Sequence, residues 1–130
     1  MGTTQKGEDL FSQLVYGARI SLLVGFISAL GSTCLQIVLG LTAGYFGGLT
    51  DNILSLFINV FLLLPSIPLG VVIASFAPFK GPETITLLLL FTSWSYGARV
   101  LRAQTLSMRN REFVEAARAS GESSLRIIFF

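Results

Sequence analysis

The chain has no histidine and one cysteine, Cys34, and both scarcities close off chemistry. Without histidine, neither a Cys–His nucleophile pair nor an imidazole metal site can form within it. A lone cysteine excludes an intramolecular disulfide; Cys34 lies in an apolar run and reads as a small packing residue. Charge is scarce too. Asp, Glu, Lys and Arg make up 12% of the 130 residues, against about 25% in soluble domains. No G-x-x-x-x-G-K-[ST] phosphate loop is present, because the glycine-rich stretch from 40 to 51 has no lysine. No carboxylate pair falls inside an apolar run. An enzyme active site therefore has almost nothing to stand on, and no cofactor is expected. The first nineteen residues show no basic stretch running straight into an apolar core, so no secretory leader is expected there.

What the chain does have is apolar length. Hydrophobic residues make up 52% of it, with 11 phenylalanines, and the mean hydropathy is +0.74. A bilayer core of about 30 Å takes about 20 apolar residues as a helix. Three such spans are expected, over about 20–44, 53–76 and 84–102. Before them, residues 9–16 read as a short amphipathic helix. In the first span, Ser28, Ser32, Gln36, Gly40, Gly44 and Gly48 recur every four residues, and Gly40 to Gly44 is a G-x-x-x-G. Small residues let helix backbones approach closely, and a buried amide such as Gln36 seeks a partner across the contact. The stripe is thus expected to be a helix–helix seam. Gly47-Gly48 and Asp51-Asn52 mark a turn. The second span carries Asn59, expected as a second buried amide, and Pro65-Ser66-Ile67-Pro68. Two prolines three apart remove two backbone donors, and such breaks survive only against protein or a water-lined path. In the third span, Trp94 and Tyr96 fit an interfacial aromatic belt, and Arg99 and Arg102 can snorkel.

Six of the nine basic residues fall in the last 32 positions. Glu112, Glu115 and Glu122 are interleaved with them, which argues against nucleic acid and for a membrane-flanking segment on the cytoplasmic side. Within it, residues 109–121 read as a helix with Asn110 as N-cap. Glu112 and Glu115 stand where the dipole favours anions, and Arg118 where it favours cations. Glu115 and Arg118 can pair. Gly121 stands where a left-handed residue closes a helix. Ser123 or Ser124 can cap a further apolar helix, and the chain ends as it opens, which reads as a C-terminal truncation.

The run Glu115-Ala116-Ala117-Arg118-Ala119-Ser120-Gly121 resembles the E-A-A-x-x-x-G signature of permeases of binding-protein-dependent ABC importers. In that family nine residues separate the glycine from an I-x-L-P, and nine residues follow Gly121 here. Asp9-Leu10-Phe11-Ser12-Gln13-Leu14, Gly17-Ala18-Arg19-Ile20-Ser21-Leu22, the stretch from Gly40 to Gly48, and Pro65-Ser66-Ile67-Pro68 are similar to the dipeptide, oligopeptide and nickel permeases. The resemblance implies an all-α, multi-pass membrane bundle with a methionine-importer-permease-like fold. This chain would be a partial transmembrane domain, with one helix missing before it and two after. It also implies a coupling segment over about 109–124 that docks into a separate ATPase. Glu115, Ala116, Ala117, Arg118 and Gly121 would carry the docking. Gln36, Gly40, Gly44, Asn59, Pro65 and Pro68 would serve packing or the translocation path. The implied partners are ATP-binding cassette subunits, a second permease subunit, an extracytoplasmic solute-binding protein and the lipid of the cytoplasmic (inner) membrane. Outside this resemblance, a fragment of an ion-coupled carrier or channel, or a membrane-embedded assembly subunit, remains open. The first would transport without an ATPase partner, and the second predicts no solute-dependent stimulation of a partner's ATPase.

Overall fold

The computed structural model describes residue 2, residues 9–78 and residues 81–129. The basic residues Lys6 and Lys80 lie outside them. Among the described residues the elements are all helical: α1 (Leu10–Phe46), α2 (Gly48–Leu63), α3 (Ser66–Phe76), α4 (Pro82–Met108), α5 (Glu112–Ala119) and α6 (Ser124–Phe129).

Helix α1 starts on an Asp9 cap. The Asp9 carboxylate accepts from the Phe11 N–H at 3.2 Å and the Ser12 hydroxyl at 2.9 Å. Those two bonds, the Ser12 one foremost, hold its carboxyl below the ordinary aspartate range. The helix then runs 37 residues without interruption, so the short amphipathic helix expected over 9–16 is its first two turns. Nothing between Tyr16 and Ile20 breaks it, and Gly17 alone costs only about 1 kcal/mol. The turn expected across 45–52 contracts to Gly47, at φ +64°, with Gly48 at +56° already opening α2.

The second expected span is two helices. α2 and α3 meet at an 80° bend. Leu64 is extended, as a residue before proline is driven to be, and Pro65 is the N-cap of α3. Pro68 falls in the first turn of α3, where the backbone N–H has no helical partner in any case. The prolines therefore redirect the chain rather than cutting bonds from a continuous ladder. At 1.5 Å per residue, α2 and α3 reach about 24 and 16 Å, so neither alone crosses a 30 Å core.

Helices α1 and α4 form the main contact. Ser28 donates to the Thr86 carbonyl at 3.3 Å and Gln36 to that of Ser93 at 3.5 Å. Gly40 faces Ala98 and Leu101, and Gly44 faces Arg102 and Thr105. Residue numbers rise together on both helices, so α1 and α4 run parallel. The α2–α3 arm returns between them, and both long helices finish at the same end of the bundle.

The α1–α4 seam is built of small groups, and many large side chains lie on the exterior. Ala43 and Ala98 are fully buried, with Ser28, Ser32 and Ser95 close to it, while Leu22 and Phe26 are 73% and 66% exposed. A water-soluble fold has the opposite distribution; this one suits a solvent as apolar as its own surface. Helix α1 is long and apolar enough to cross a membrane alone, and the α2–α3 pair is so only taken together. Helix α4 has the length, but Thr92-Ser93-Trp94-Ser95-Tyr96 interrupts its leucines. Trp94 is not at a belt. It is 2% exposed, with Phe57 and Phe61 at ring centroids 6.1 and 5.0 Å away and Ile58 in the same cluster. Its neighbours on α2 offer three apolar side chains, which outweigh what an interface gives an indole. Tyr96 is exposed, as is Cys34.

Candidate functional site: the shared end of the long helices

At the shared end of α1 and α4, charged residues tie the turn, the long helix and the short polar helix together. Asp51, in the first turn of α2, takes both the Nε and the Nη2 of Arg102 on α4, the second at 2.8 Å. Ser55 donates to the same carboxylate at 2.9 Å. The anion lies at a helix N-terminus, where its charge is favoured, and the guanidinium fork meets it bidentately. Arg102 therefore does not snorkel freely, because a carboxylate lies within its reach; Arg99 is exposed. Next to the pair, Arg109 leans over Gly47 and donates to the Gly44 carbonyl at 3.5 Å, which offsets the open C-terminus of α1.

Asp51→Asn is expected to lower the stability of the folded protein by about 2 kcal/mol, because Arg102 loses a charged partner. The reversed pair Asp51→Arg with Arg102→Asp should recover only part, since an arginine at the start of α2 opposes the helix dipole. Thermal unfolding of the detergent-solubilised protein reads both effects, and an unchanged midpoint in Asp51→Asn would count against the tie.

Helix α5 hangs beneath this end. Its N-cap is Arg111, not Asn110, and no side chain caps it. Asn110 is taken up in the turn that closes α4, where the Arg111 N–H bonds the Met108 carbonyl, so the helix begins one residue later. Val114, 7% exposed, is the anchor. It faces a crevice of about 210 Å³ shared with Leu41, Tyr45, Thr105 and Met108. The C-terminus closes in a Schellman motif: the Glu122 N–H bonds the Ala117 carbonyl at 3.2 Å and the Gly121 N–H that of Arg118 at 3.0 Å. Gly121 has φ +82°. Ser123 then caps α6, accepting from the Arg126 N–H at 3.4 Å, and Glu122 pairs with Arg126 at 2.8 Å.

The residues singled out from the sequence take different positions around this frame. Glu115 and Ala116 are exposed on α5, and among the described residues the Glu115 carboxylate makes no ion pair. Ala117 is half-buried toward α6, in a groove of about 350 Å³ with Phe113, Ile127 and Arg126. The expected Glu115–Arg118 pair is not formed. Arg118 turns the other way, its guanidinium carbon 5.0 Å from the ring centre of Tyr45 on α1, and donates to the tyrosine hydroxyl at 3.3 Å. A ring face and an acceptor in one direction outcompete a solvated carboxylate. Gly40 and Gly44 are buried in the α1–α4 seam, and Gln36 is half-buried there against Gly97. Gly48, the last member of the stripe, leaves it because the chain has already turned into α2. Asn59, expected to be buried, is exposed on α2 in this chain, and Pro65 and Pro68 are exposed at the elbow. The face of α2 that meets α4 is the one carrying Ile58 and Phe61, and Asn59 falls outside it.

The sequence marked Asp51 only as part of a turn and Arg102 only as a snorkelling residue, and it gave no such contact to Arg109 or Tyr45. A signal existed for the first two: they are opposite charges at the boundaries of two apolar stretches expected to end on the same side.

Comparison with known proteins fits this geometry. The family model described as "binding-protein-dependent transport system inner membrane component" matches residues 36–130. The dipeptide transport system permease protein DppC of Alkalihalophilus pseudofirmus is 36% identical over 130 residues, covering 98% of this chain and 42% of that protein. Its Bacillus subtilis counterpart is 39% identical over 127 residues, covering 98% of this chain and 39% of the relative. The oligopeptide transport system permease protein OppC of Mycobacterium bovis is 37% identical over 132 residues, covering 98% and 44%. The chain thus spans about two fifths of the length of these relatives. The family is a membrane component of a transport system, which agrees with a chain lacking catalytic groups. The chain belongs to the binding-protein-dependent transport system inner membrane component family.

Proposed function

We propose that this chain is part of the permease subunit of an ATP-driven importer that moves peptides or related small solutes across the cytoplasmic membrane. Similarity to permeases named for dipeptides and oligopeptides supports the solute class. Helix α1, the bent α2–α3 pair and α4 are the three spans, and the arginine-rich end bearing α5 faces the cytoplasm. Helix α5 is the coupling element. It docks on a separate ATPase subunit, and a second permease subunit and an extracytoplasmic binding protein complete the assembly. One observation carries this reading: α5 is anchored by Val114 on one face and leaves Glu115 and Ala116 exposed and unengaged on the other. A helix so placed has a polar residue free to set register and a methyl-sized surface free for close approach. Ala117 and Gly121 hold its relation to α6. Gly40, Gly44 and Gln36 pack the spans. Pro65 and Pro68 shape the elbow beside an apolar crevice of about 480 Å³ lined by Phe61, Leu69, Leu88 and Phe91.

The test is Glu115→Lys in the complete importer. Reversing an exposed charge should leave membrane insertion unchanged. Co-purification of the ATPase subunit should fall at least about tenfold, a difference of about 1.4 kcal/mol, and uptake should fall with it. Wild-type uptake with a wild-type amount of bound ATPase would sink the docking role.

A further inference from the structure

We propose that Tyr45 is a positioning residue through which movement of the coupling helix reaches the first long helix. This rests on the reading of α5 as the ATPase-docking element and adds the route its motion takes. Helix α5 is joined covalently to α4, so a push on it reaches α4 directly. Helix α1 has no such link. The elements packed on α5 include α6, and α6 in turn touches α1. Beside the apolar seat of Val114, α5 and α1 share a polar side-chain bridge, Arg118 on Tyr45: a cation over a ring face at 5.0 Å and a hydrogen bond to the hydroxyl at 3.3 Å. Tyr45 also lines a crevice with Ile127 and Ile128 of α6. One side chain from the last turn of α1 thus bonds α5 and borders α6. Phe46 packs edge-on against its ring at 5.3 Å.

The position of Tyr45 gives the contact leverage. It follows Gly44, where a Cβ would stand 2.5 Å from the Thr105 Cβ of α4, and precedes Gly47, where α1 ends at positive φ. Pulling on Tyr45 moves the end of α1 relative to the Gly44 contact and swings the Gly47 turn that carries Asp51 into its pair with Arg102. The bridge also makes use of Arg118 as arginine. A lysine would keep the charge but not the planar group that both stacks on the ring and donates beside it. Motion at α5 is thereby shared between α1 and α4 instead of bending α4 alone.

The experiment uses the full importer, with its ATPase subunits and binding protein, in proteoliposomes. Solute taken up per ATP hydrolysed is measured beside the amount of ATPase bound. Tyr45→Leu should keep the bound ATPase and its hydrolysis near wild type while uptake per ATP falls about tenfold. Tyr45→Trp keeps a ring face and should restore much of the ratio. Tyr45→Phe loses the hydroxyl alone and should fall between. A wild-type ratio in Tyr45→Leu overturns the proposal. If that variant does not insert, Tyr45→Phe decides: a reduced ratio supports the bridge, and a wild-type ratio overturns it. Failure of the docking reading looks different, because Glu115→Lys would then keep its ATPase whatever Tyr45 does.

Discussion

Gly44→Leu should leave the permease unable to assemble its α1–α4 contact. A Cβ placed on Gly44 stands 2.5 Å from the Thr105 Cβ and 2.8 Å from the Arg102 carbonyl oxygen. Neither obstacle is the far end of a flexible side chain. Both belong to the α4 backbone or its first carbon, so the helices must separate. Overpacking typically costs about 1–3 kcal/mol, and here backbones must move as well. Separation also pulls Arg102 from Asp51, adding the loss of a charged hydrogen-bonded pair. Gly40→Leu should behave alike, with its Cβ 2.6 Å from the Ala98 carbonyl oxygen and 2.9 Å from the Leu101 Cβ. Gly25→Leu is the control, because nothing lies within 4 Å of a Cβ there and the substitution gains helix propensity. Gly31→Ala should be intermediate, since the atoms met are the outer carbons of the Leu90 side chain. The measurement is the yield and thermal midpoint of the solubilised, full-length protein. Gly44→Leu melting with Gly25→Leu would dismiss the seam.

That seam was legible in the sequence because its cause is local. Close approach of two helices needs small residues at helical spacing, and Ser28, Ser32, Gln36, Gly40 and Gly44 state it directly. Its partner was less legible. Helix α4 meets α1 with Ala98, Leu101 and Thr105, beside Gly97; the spacing is helical, but the set mixes large and small side chains, and only the fold selects it. Composition told that the chain was apolar but not which apolar residues face inward. In a bundle whose outer surface is grease, hydrophobicity no longer marks the core, so Trp94 was assigned to an interface and Asn59 to the interior. Both assignments reversed once α2 was laid on α4 through Ile58 and Phe61.

At the end of the bundle that carries α5, the signals that close α5 and open α6 held, while the Asn110 cap and the side-chain pairing did not. Glycine at the close of α5 and serine at the start of α6 act within a few residues, and both stand where their chemistry requires. The Glu115–Arg118 pair followed an equally local rule, yet Arg118 goes to Tyr45, 73 positions away. Surface pairs at helical spacing contribute only about 0.2–0.5 kcal/mol, so a distant ring with a hydroxyl easily displaces one. The Asp51–Arg102 pair is non-local in the same way, 51 positions apart. What fixes it is the parallel alignment of α1 and α4, which brings the Gly47 turn level with the last turns of α4.

Gly121→Val should uncouple the importer while leaving the bundle standing. At φ +82° a residue with a Cβ carries a conformational cost of about 1–2 kcal/mol, and a β-branched one is worst placed to bear it. No atom lies within 4 Å of a Cβ built there, so steric collision contributes nothing and the backbone conformation is the whole effect. Relief comes by leaving the left-handed region, which breaks the Schellman bonds from Glu122 to Ala117 and from Gly121 to Arg118. The angle between α5 and α6 then changes. Val114 shifts in its crevice, and Arg118 no longer reaches the Tyr45 ring and hydroxyl. The helices of the seam are untouched, so insertion and the thermal midpoint should stay close to wild type. Uptake by the complete importer should drop about tenfold if the strain reaches the working state as roughly 1.4 kcal/mol. Asparagine visits the left-handed region far more readily, so Gly121→Asn should retain most of the uptake and Gly121→Ala should lie between. That order, asparagine above alanine above valine, separates a conformational requirement from a need for small size, which would place alanine first. Equal uptake by the valine and asparagine variants would remove the turn from the coupling path.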